Sequence, residues 1–325
     1  MSMNLMSGST EIPVRVADIV QVSERVKRFR FEPVAGGSMP VFSAGAHVVV
    51  SMNIGSRRAR NPYSLMGSVT DLSAYEISVL KTVDSRGGSV FLHDSVKIGD
   101  QLTVSTPVNL FPVEQRGRKF ILIAGGIGIT PMIAMAEQLT AQKLPFELHY
   151  AYRNDQAGAY ADTLKARYGH LVHLYVDSRE ERIPLDALFK NQPLGTHLYV
   201  CGPGGMINWV LESGRKAGWP EENLHSERFL APPSGKPFSV VLERSKKTVT
   251  VGEHESILEA IEASGVEPPY LCRGGACGQC LTGVVSCDGT LEHNDHYLAS
   301  EERDGNQKIM ICVSRIKGST LVLDL

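Results

Sequence analysis

The sequence predicts a multi-domain chain: a small antiparallel β-barrel, then an α/β layer on a parallel sheet, then a small mixed domain carrying a metal site. Three observations predict it. At 325 residues the chain is too long for one ordinary core. Short β-branched runs broken by Gly and Pro fill the first third, whereas apolar strands alternate with helical stretches in the middle. Five of the six cysteines follow residue 271, and three of these fall within nine positions. Such clustering marks a metal site rather than a disulfide framework, whose cysteines are dense and spread out.

Composition narrows the class. A hydrophobic content of 42%, a charged content of 21% and a net charge of −2 describe a soluble globular protein. There is no basic excess to attract phosphate backbones, so nucleic acid is not an expected partner. Met1 to Thr10 lack both a positive n-region and an apolar h-region, and no later run approaches the roughly eighteen apolar residues of a membrane span. The expected place is the cytoplasm, away from membranes.

Residues 10–113 read as the barrel. Arg28 to Glu32, His47 to Met52, Tyr75 to Lys81 and Gln101 to Ser105 alternate or run β-branched, with Gly and Pro turns between them. No local chemistry there signals a ligand. Residues 116–230 open with Lys119-Phe-Ile-Leu-Ile-Ala124, a continuous apolar run suited to a buried parallel strand. Gly125-Gly-Ile-Gly-Ile-Thr-Pro131 follows at once, with Thr130 placed as N-cap and Pro131 at the start of a helix to about Gln142. Strand, glycine turn and helix N-terminus together can receive a pyrophosphate. The third glycine of the dinucleotide fingerprint is missing, so a structural turn explains this motif alone equally well. Phe146 to Tyr152, Val172 to Val176 and His197 to Val200 add short strands. The last runs into Cys201-Gly-Pro-Gly-Gly205, where backbone can lie close to a flat ligand.

Residues 235–325 form the third segment. Phe238 to Glu243 and Thr248 to Val251 make a hairpin, Ser256 to Ala263 has Ile257, Leu258 and Ile261 at helical spacing, and Ile309 to Val313 and Thr320 to Leu323 read as closing strands. Between them stands Cys272-x4-Cys277-x2-Cys280, with thirty-one residues before Cys312. This is the spacing of plant-type [2Fe–2S] ferredoxins. Three thiolates on one short loop must converge on two irons, and Gly274, Gly275 and Gly278 let the loop curl. Structural zinc would use paired C-x2-C knuckles, of which only one exists. A thioredoxin-like C-x-x-C would open a helix in a βαβ setting. Cys272, Cys277, Cys280 and Cys312 are the expected metal ligands, and Cys287 an ordinary strand or turn residue. The order strand, strand, helix, cysteine loop resembles the β-grasp of those ferredoxins.

Gly125 to Pro131 followed by Cys201-Gly-Pro203 is similar to the nicotinamide-binding domain of the ferredoxin–NADP reductase superfamily. The resemblance implies that Gly125, Gly126, Gly128 and Thr130 lie along the pyrophosphate, and Cys201, Gly202 and Pro203 against the nicotinamide. The superfamily's flavin motif is Arg-x-Tyr-Ser-Leu. Here Tyr63, Ser64 and Leu65 match, Asn61 stands in the motif arginine's place, and Arg60 is one residue off. Ser85-Arg-Gly-Gly-Ser89 resembles the phosphate-side glycine loop. The flavin phosphate therefore falls either to Arg60 on a bulged strand or to Gly87, Gly88 and Ser89. By the same resemblance Val79, Lys81 and Thr130 lie along the flavin, and Phe229 is the aromatic near its ring. Ser64 near the flavin N5 and Cys201 beside the nicotinamide are the implied catalytic residues, neither as a nucleophile.

Flavin barrel, nicotinamide domain and C-terminal ferredoxin, in that order, resemble the phthalate dioxygenase reductase family over essentially the whole chain. Reductases of the benzoate dioxygenase type carry the ferredoxin domain first. The resemblance implies FMN, NADH and a [2Fe–2S] cluster, and an NADH-dependent oxidoreductase serving a two-component Rieske-type oxygenase. Its substrate would be an aromatic acid or a quaternary amine. Two other readings use the same motifs: a stand-alone NADH oxidase, and a redox-sensing iron–sulfur flavoprotein with a vestigial nicotinamide site. From residue 231 onward nine Lys/Arg face thirteen Asp/Glu, a net of −4. That excess either steers the cluster domain weakly towards a basic oxygenase surface or is an ordinary solvated face. The ten histidines show no ligand spacing.

Overall fold

The computed structural model describes residues 11–55, 57–82 and 85–325. Met1 to Thr10, read above for a leader pattern, lie outside the described residues. The first sheet is antiparallel: β1 (Glu11–Ser23), β2 (Val26–Pro33), β3 (Ala46–Ile54), β4 (Arg57–Ser64), β5 (Tyr75–Leu80), β6 (Gln101–Ser105) and β7 (Val108–Asn109). Its order is β4-β3-β6-β1-β2-β5, with β7 beside β3, and a bridge from Met66 to Glu76 joins the two ends into a barrel. Alternation fills the interior: Val14 and Val16, Phe29 and Phe31, Val48 and Val50, Ile77 and Val79 are fully buried. The short α1 (Gly88–Asp94) adds Leu92 to that core. The sequence reading missed β4, because Arg-Arg-Ala-Arg-Asn-Pro is polar and holds a proline. An end strand tolerates both.

The second sheet is wholly parallel: β8 (Lys119–Gly125), β9 (Phe146–Tyr152), β10 (Val172–Val176), β11 (Thr196–Cys201) and β12 (Leu224–Glu227), in the order β10-β9-β8-β11-β12. Its central strands β8 and β11 are buried on both faces, as their continuous apolar runs require, while β10 and β12 at the edges are partly exposed. Phe120, Leu122 and Leu148 pack under α2 (Ile129–Ala141) and α3 (Ala161–Tyr168). Ile121, Ile123 and Val200 pack under α4 (Leu185–Leu188) and α5 (Gly204–Lys216). One expectation is corrected. Thr130 is not the N-cap of α2; Gly128 is, after a 3₁₀ turn at Gly126–Gly128. That turn starts the helix earlier, so Thr130 lies in its first turn and its Oγ1 donates to the Ile127 carbonyl at 3.0 Å.

The last sheet is mixed. β13 (Phe238–Leu242), β14 (Lys247–Val251), β15 (Leu281–Cys287), β17 (Lys308–Met310) and β19 (Thr320–Leu323) run in the order β14-β13-β19-β15-β17, and β16 (Thr290–Glu292) pairs β18 (Arg315–Lys317). α6 (Ile257–Ala263) starts on a reciprocal cap: the Ser256 amide donates to Glu259 at 2.9 Å and the Glu259 amide to Ser256 Oγ at 3.1 Å. α7 (Ser300–Asp304) precedes β17. The expected strand to Val313 stops at Met310. Ile311 to Val313 turn instead, because Cys312 must present its thiol to Cys280 rather than lie in a ladder. Arg315, 1% exposed, donates to the carbonyls of Gly235, Lys236, Gly252 and Glu255 and so fastens the incoming chain to this domain. Among the described residues no helix is long and apolar enough to cross a membrane.

Candidate active site

The barrel, the α/β layer and the α6 and cysteine-loop side of the last region all contribute walls to one cavity of about 920 Å³. From the barrel come Asn61, Tyr63 and Ser64 of β4, and His47, which β3 places directly opposite Ser64. The Ser64 Oγ and His47 Nε2 are buried with no hydrogen-bond partner. Buried polar atoms are nearly always paired, so these two call for a polar ligand edge in the cavity. Burial alone holds His47 down at about 4, a neutral ring able to donate or accept. Tyr63 accepts from Asn61 Nδ2 at 3.3 Å, and burial pushes its phenol up to about 12.

The expected phosphate residues separate. Arg60 lines the cavity, but its guanidinium donates to Glu262 at 2.7 Å. Arg86, which the sequence reading passed over inside its own motif, reaches Asn61 Oδ1 at 3.4 Å and Glu259 at 3.0 Å. Ser89 lines the cavity and bonds Ser85 at 3.0 Å. Gly87 caps α1 at φ +103, and Gly88 lies so near Asn61 that a Cβ would come within 2.3 Å of its amide. Leu65 and Val79 point into the barrel core, and Lys81 turns outward to Asp94 at 2.7 Å. None of these three side chains lines the cavity.

From the parallel sheet, Ile127, Thr130 and Ser226 to Phe229 close another side. The two glycine motifs touch through backbone. A Cβ on Gly128 would lie 2.2 Å from the Cys201 carbonyl oxygen, and one on Gly125 would lie 2.7 Å from Pro203 Cδ. Cys201 is fully buried; burial first, then Glu227, pushes its thiol far up, which suits a neutral wall and not a nucleophile. Glu227 was not foreseen. Burial first, then the neighbouring Cys272, pushes its carboxyl up to about 8, and its Oε2 has no partner. Its signal was present in Ser226-Glu-Arg-Phe229, one position from an aromatic already singled out.

Cys272, Cys277, Cys280 and Cys312 are brought together as free thiols, Cys277 beside Cys272 and Cys312 beside Cys280. The neighbouring Cys277 thiol holds Cys272 below the usual thiol range against the effect of burial, helped by amides including Gly274 N at 3.4 Å from Sγ. Gly275 (φ +72) needs its glycine twice over, since a Cβ would also strike Val313 at 2.8 Å. Four soft donors in two pairs, with amides aimed at sulfur, suit a two-iron cluster. Cys272 and Cys312 also line the cavity, so the cluster loop faces the Ser64 wall. Away from it, Glu147, His149 and His173 converge across β9 and β10, a grouping the sequence spacing did not show, and Lys119 holds Glu147 at 2.7 Å.

The buried histidines set an acid limit. Burial is the main cause holding His47, His149 and His225 at about 4, below the ordinary 6.5. Their contribution to stability is complete above pH 6.5 and is lost as pH falls from 6.5 through about 4, because the unfolded chain takes up protons that the fold refuses. The thermal midpoint is therefore expected to fall steadily across that window. A midpoint independent of pH there would show that these rings are protonated in the fold.

Barrel, parallel α/β layer and β-grasp around one cavity define a modular oxidoreductase. A family model described as "Dimethylamine monooxygenase subunit DmmA-like, N-terminal domain" matches residues 105–224, and one described as "2Fe-2S iron-sulfur cluster binding domain" matches residues 240–317. The carnitine monooxygenase reductase subunit of Acinetobacter baumannii is 42% identical, over 96% of this chain and 98% of its own length. The heme-dependent oxidative N-demethylase beta subunit of Ectopseudomonas mendocina is 43% identical, over 98% and 100%. The structure of phthalate dioxygenase reductase, titled as a modular structure for electron transfer from pyridine nucleotides to [2Fe–2S], superposes with a TM-score of 0.89 at 33% identity, covering 97% of this chain and 98% of that one. The chain belongs to the phthalate dioxygenase reductase family, the reductase subunits of multi-component oxygenase systems.

Proposed function

We propose that this chain takes hydride from NADH onto FMN and passes single electrons through a [2Fe–2S] centre to a Rieske-type oxygenase in the cytoplasm. The observation that carries the reading is the shared cavity, in which Ser64, Thr130 and Cys272 from three domains face one another. Residues 10–113 serve as the flavin unit, 116–230 as the nicotinamide unit and 235–325 as the cluster unit. Bound flavin supplies the conversion of a two-electron donor into single electrons, and the cluster supplies a one-electron carrier. The protein's share is placement. Ser64 Oγ and His47 Nε2 would hold the polar edge of a flavin ring, and Phe229 would lie beside it. Gly125, Gly126, Gly128 and Thr130 receive the pyrophosphate, while Cys201, Gly202 and Pro203 flank the nicotinamide. Arg86 and Ser89, more than Arg60, face the phosphate. Ser256, Leu258 and Glu259 at α6 close that end of the cavity, which supports a flavin ending in its phosphate. Per NADH two electrons leave one at a time and one proton remains in solvent.

A second acceptor has its own support. The likeness to a heme-dependent N-demethylase subunit extends over the whole chain, so a heme-bearing oxygenase of N-methylated amines would be served by the same surface. Anaerobic mixing with NADH tests the main reading: flavin and cluster absorbance should bleach rapidly, and a loaded protein that does not bleach would refute it. Electron delivery to a Rieske and to a heme acceptor then separates the two partners. Ser64→Ala should slow flavin bleaching by about 10- to 100-fold with the cluster spectrum unchanged, the usual scale for one hydrogen-bonding group at a reacting centre. Unchanged bleaching would pass that role to His47.

A further inference from the structure

The cluster loop and the barrel are tied together by one carboxylate that the proposed chemistry leaves unused. Glu262, on α6, receives two guanidiniums, one from β4 and one from the cysteine loop. Arg60 of β4 donates to its Oε2 at 2.7 Å, while Arg273, the residue after Cys272, donates to Oε2 at 3.0 Å and also to Oε1. The side chains of Arg60, Glu262 and Arg273 are only 16, 13 and 4% exposed, so water does little to screen them. Arg273 sits in the left-handed region at φ +52, and its guanidinium lies 3.9 Å from the Tyr270 ring centre. A non-glycine residue keeps such a backbone only where its surroundings hold it. One turn earlier Glu259 takes Arg86 at 3.0 Å, but that carboxylate also caps its own helix. Glu262 has no part in that cap.

We propose that Glu262 is a positioning residue for electron passage from the flavin wall to the cluster loop. By locking Arg273 to Arg60 it fixes the gap between the Asn61–Ser64 wall of β4 and Cys272 of the cluster loop, which line the same cavity. The inference rests on the function proposed above. Each passage oxidises the flavin by one electron and reduces the cluster by one, and no proton is routed through Glu262. Transfer through a gap weakens steeply with distance, so a small opening of this junction matters more than any loss of stability. Removing the carboxylate charge leaves the buried Arg273 guanidinium without a counter-ion and Arg60 with only Glu11 at 3.9 Å, and the junction opens.

The test uses the loaded protein with Glu262→Gln and the shorter Glu262→Asp. After anaerobic mixing with NADH, flavin bleaching should stay within about twofold of the unmodified protein, because Glu262 does not itself line the cavity and touches neither Ser64 nor the glycine loops. The later cluster reduction, read by freeze-quench EPR, should slow about tenfold or more in Glu262→Gln, on the scale at which an ångström of misplacement is felt. Glu262→Asp should recover part of the rate. The cluster's EPR spectrum and midpoint potential should not move, while hydrogen exchange across residues 57–64 and 257–263 should rise without any turnover. An unchanged second phase overturns the proposal. So does a slow phase accompanied by a shifted potential, which would place the effect in the loop itself. Should Glu262→Gln fail to hold its cluster, Glu262→Asp decides by the same readings. If NADH bleaches no flavin in the unmodified protein, the proposed function falls, while the exchange result still judges the lock.

Discussion

Cys277→Ser is expected to abolish the cluster spectrum and reduce electron delivery to one-electron protein acceptors to the flavin's own background. Flavin bleaching by NADH should survive within about twofold, because the hydride partners lie in the other two sheets and distant sites act independently. Iron in a cluster takes soft thiolate, and a serine hydroxyl is a poor substitute at neutral pH. The choice of cysteine matters. Cys272, Cys280 and Cys312 are each 2–3% exposed, and the last two belong to the hydrophobic core of their domain. Replacing any of those would bury a new hydroxyl and confuse lost ligation with lost folding. Cys277 is only half buried, so its replacement tests ligation alone. If flavin reduction vanished in a folded Cys277→Ser protein, the separation into entry and exit domains would be wrong.

What could be read ahead of the structure divides by physical range. The four cysteines, the parallel strands and the β13–β14 hairpin depend on local spacing and periodicity, and they stand where spacing put them. The fate of each positive charge does not depend on local pattern. Arg60 looked like a phosphate ligand because it stands beside Asn61. Its partner Glu262 lies some two hundred residues away and becomes a neighbour only when the last domain packs. The same packing reinterprets the acidic excess of that domain. Glu259 and Glu262 are engaged by Arg86, Arg60 and Arg273 inside the molecule, which leaves less of the −4 to steer an external partner. Orphaned atoms are equally invisible in sequence: Ser64 and His47 reveal a ligand edge only once their surroundings prove to lack a partner.

Gly128→Ala is the mirror image of the cluster variant, and it should fail at the entry. At Gly128 φ is −63, which alanine adopts freely, so backbone strain is not the objection. The objection is contact: the new methyl would meet the Cys201 carbonyl oxygen at 2.2 Å, its carbon at 2.5 Å and the Gly202 nitrogen at 2.8 Å. All three are main-chain atoms, of the fully buried end of β11 at Cys201 and of the residue just after it, and cannot swing aside as a side chain would. We expect a loss of about 3 kcal/mol or more in stability, at the upper end for overpacking. NADH-driven flavin reduction should fall by at least about a hundredfold, as the pyrophosphate and nicotinamide loops are forced apart. FMN retention, a barrel property, should persist, and chemically reduced flavin should still pass electrons to the cluster. Gly126→Ala separates contact from conformation. No protein atom lies within 4 Å of its Cβ, but φ is +53, so it should lose only about 1 kcal/mol of stability, and NADH turnover should fall less than in Gly128→Ala. If the order were reversed, with Gly126→Ala the more damaging, the motif would be needed for its backbone turn and not for the close approach of its two loops.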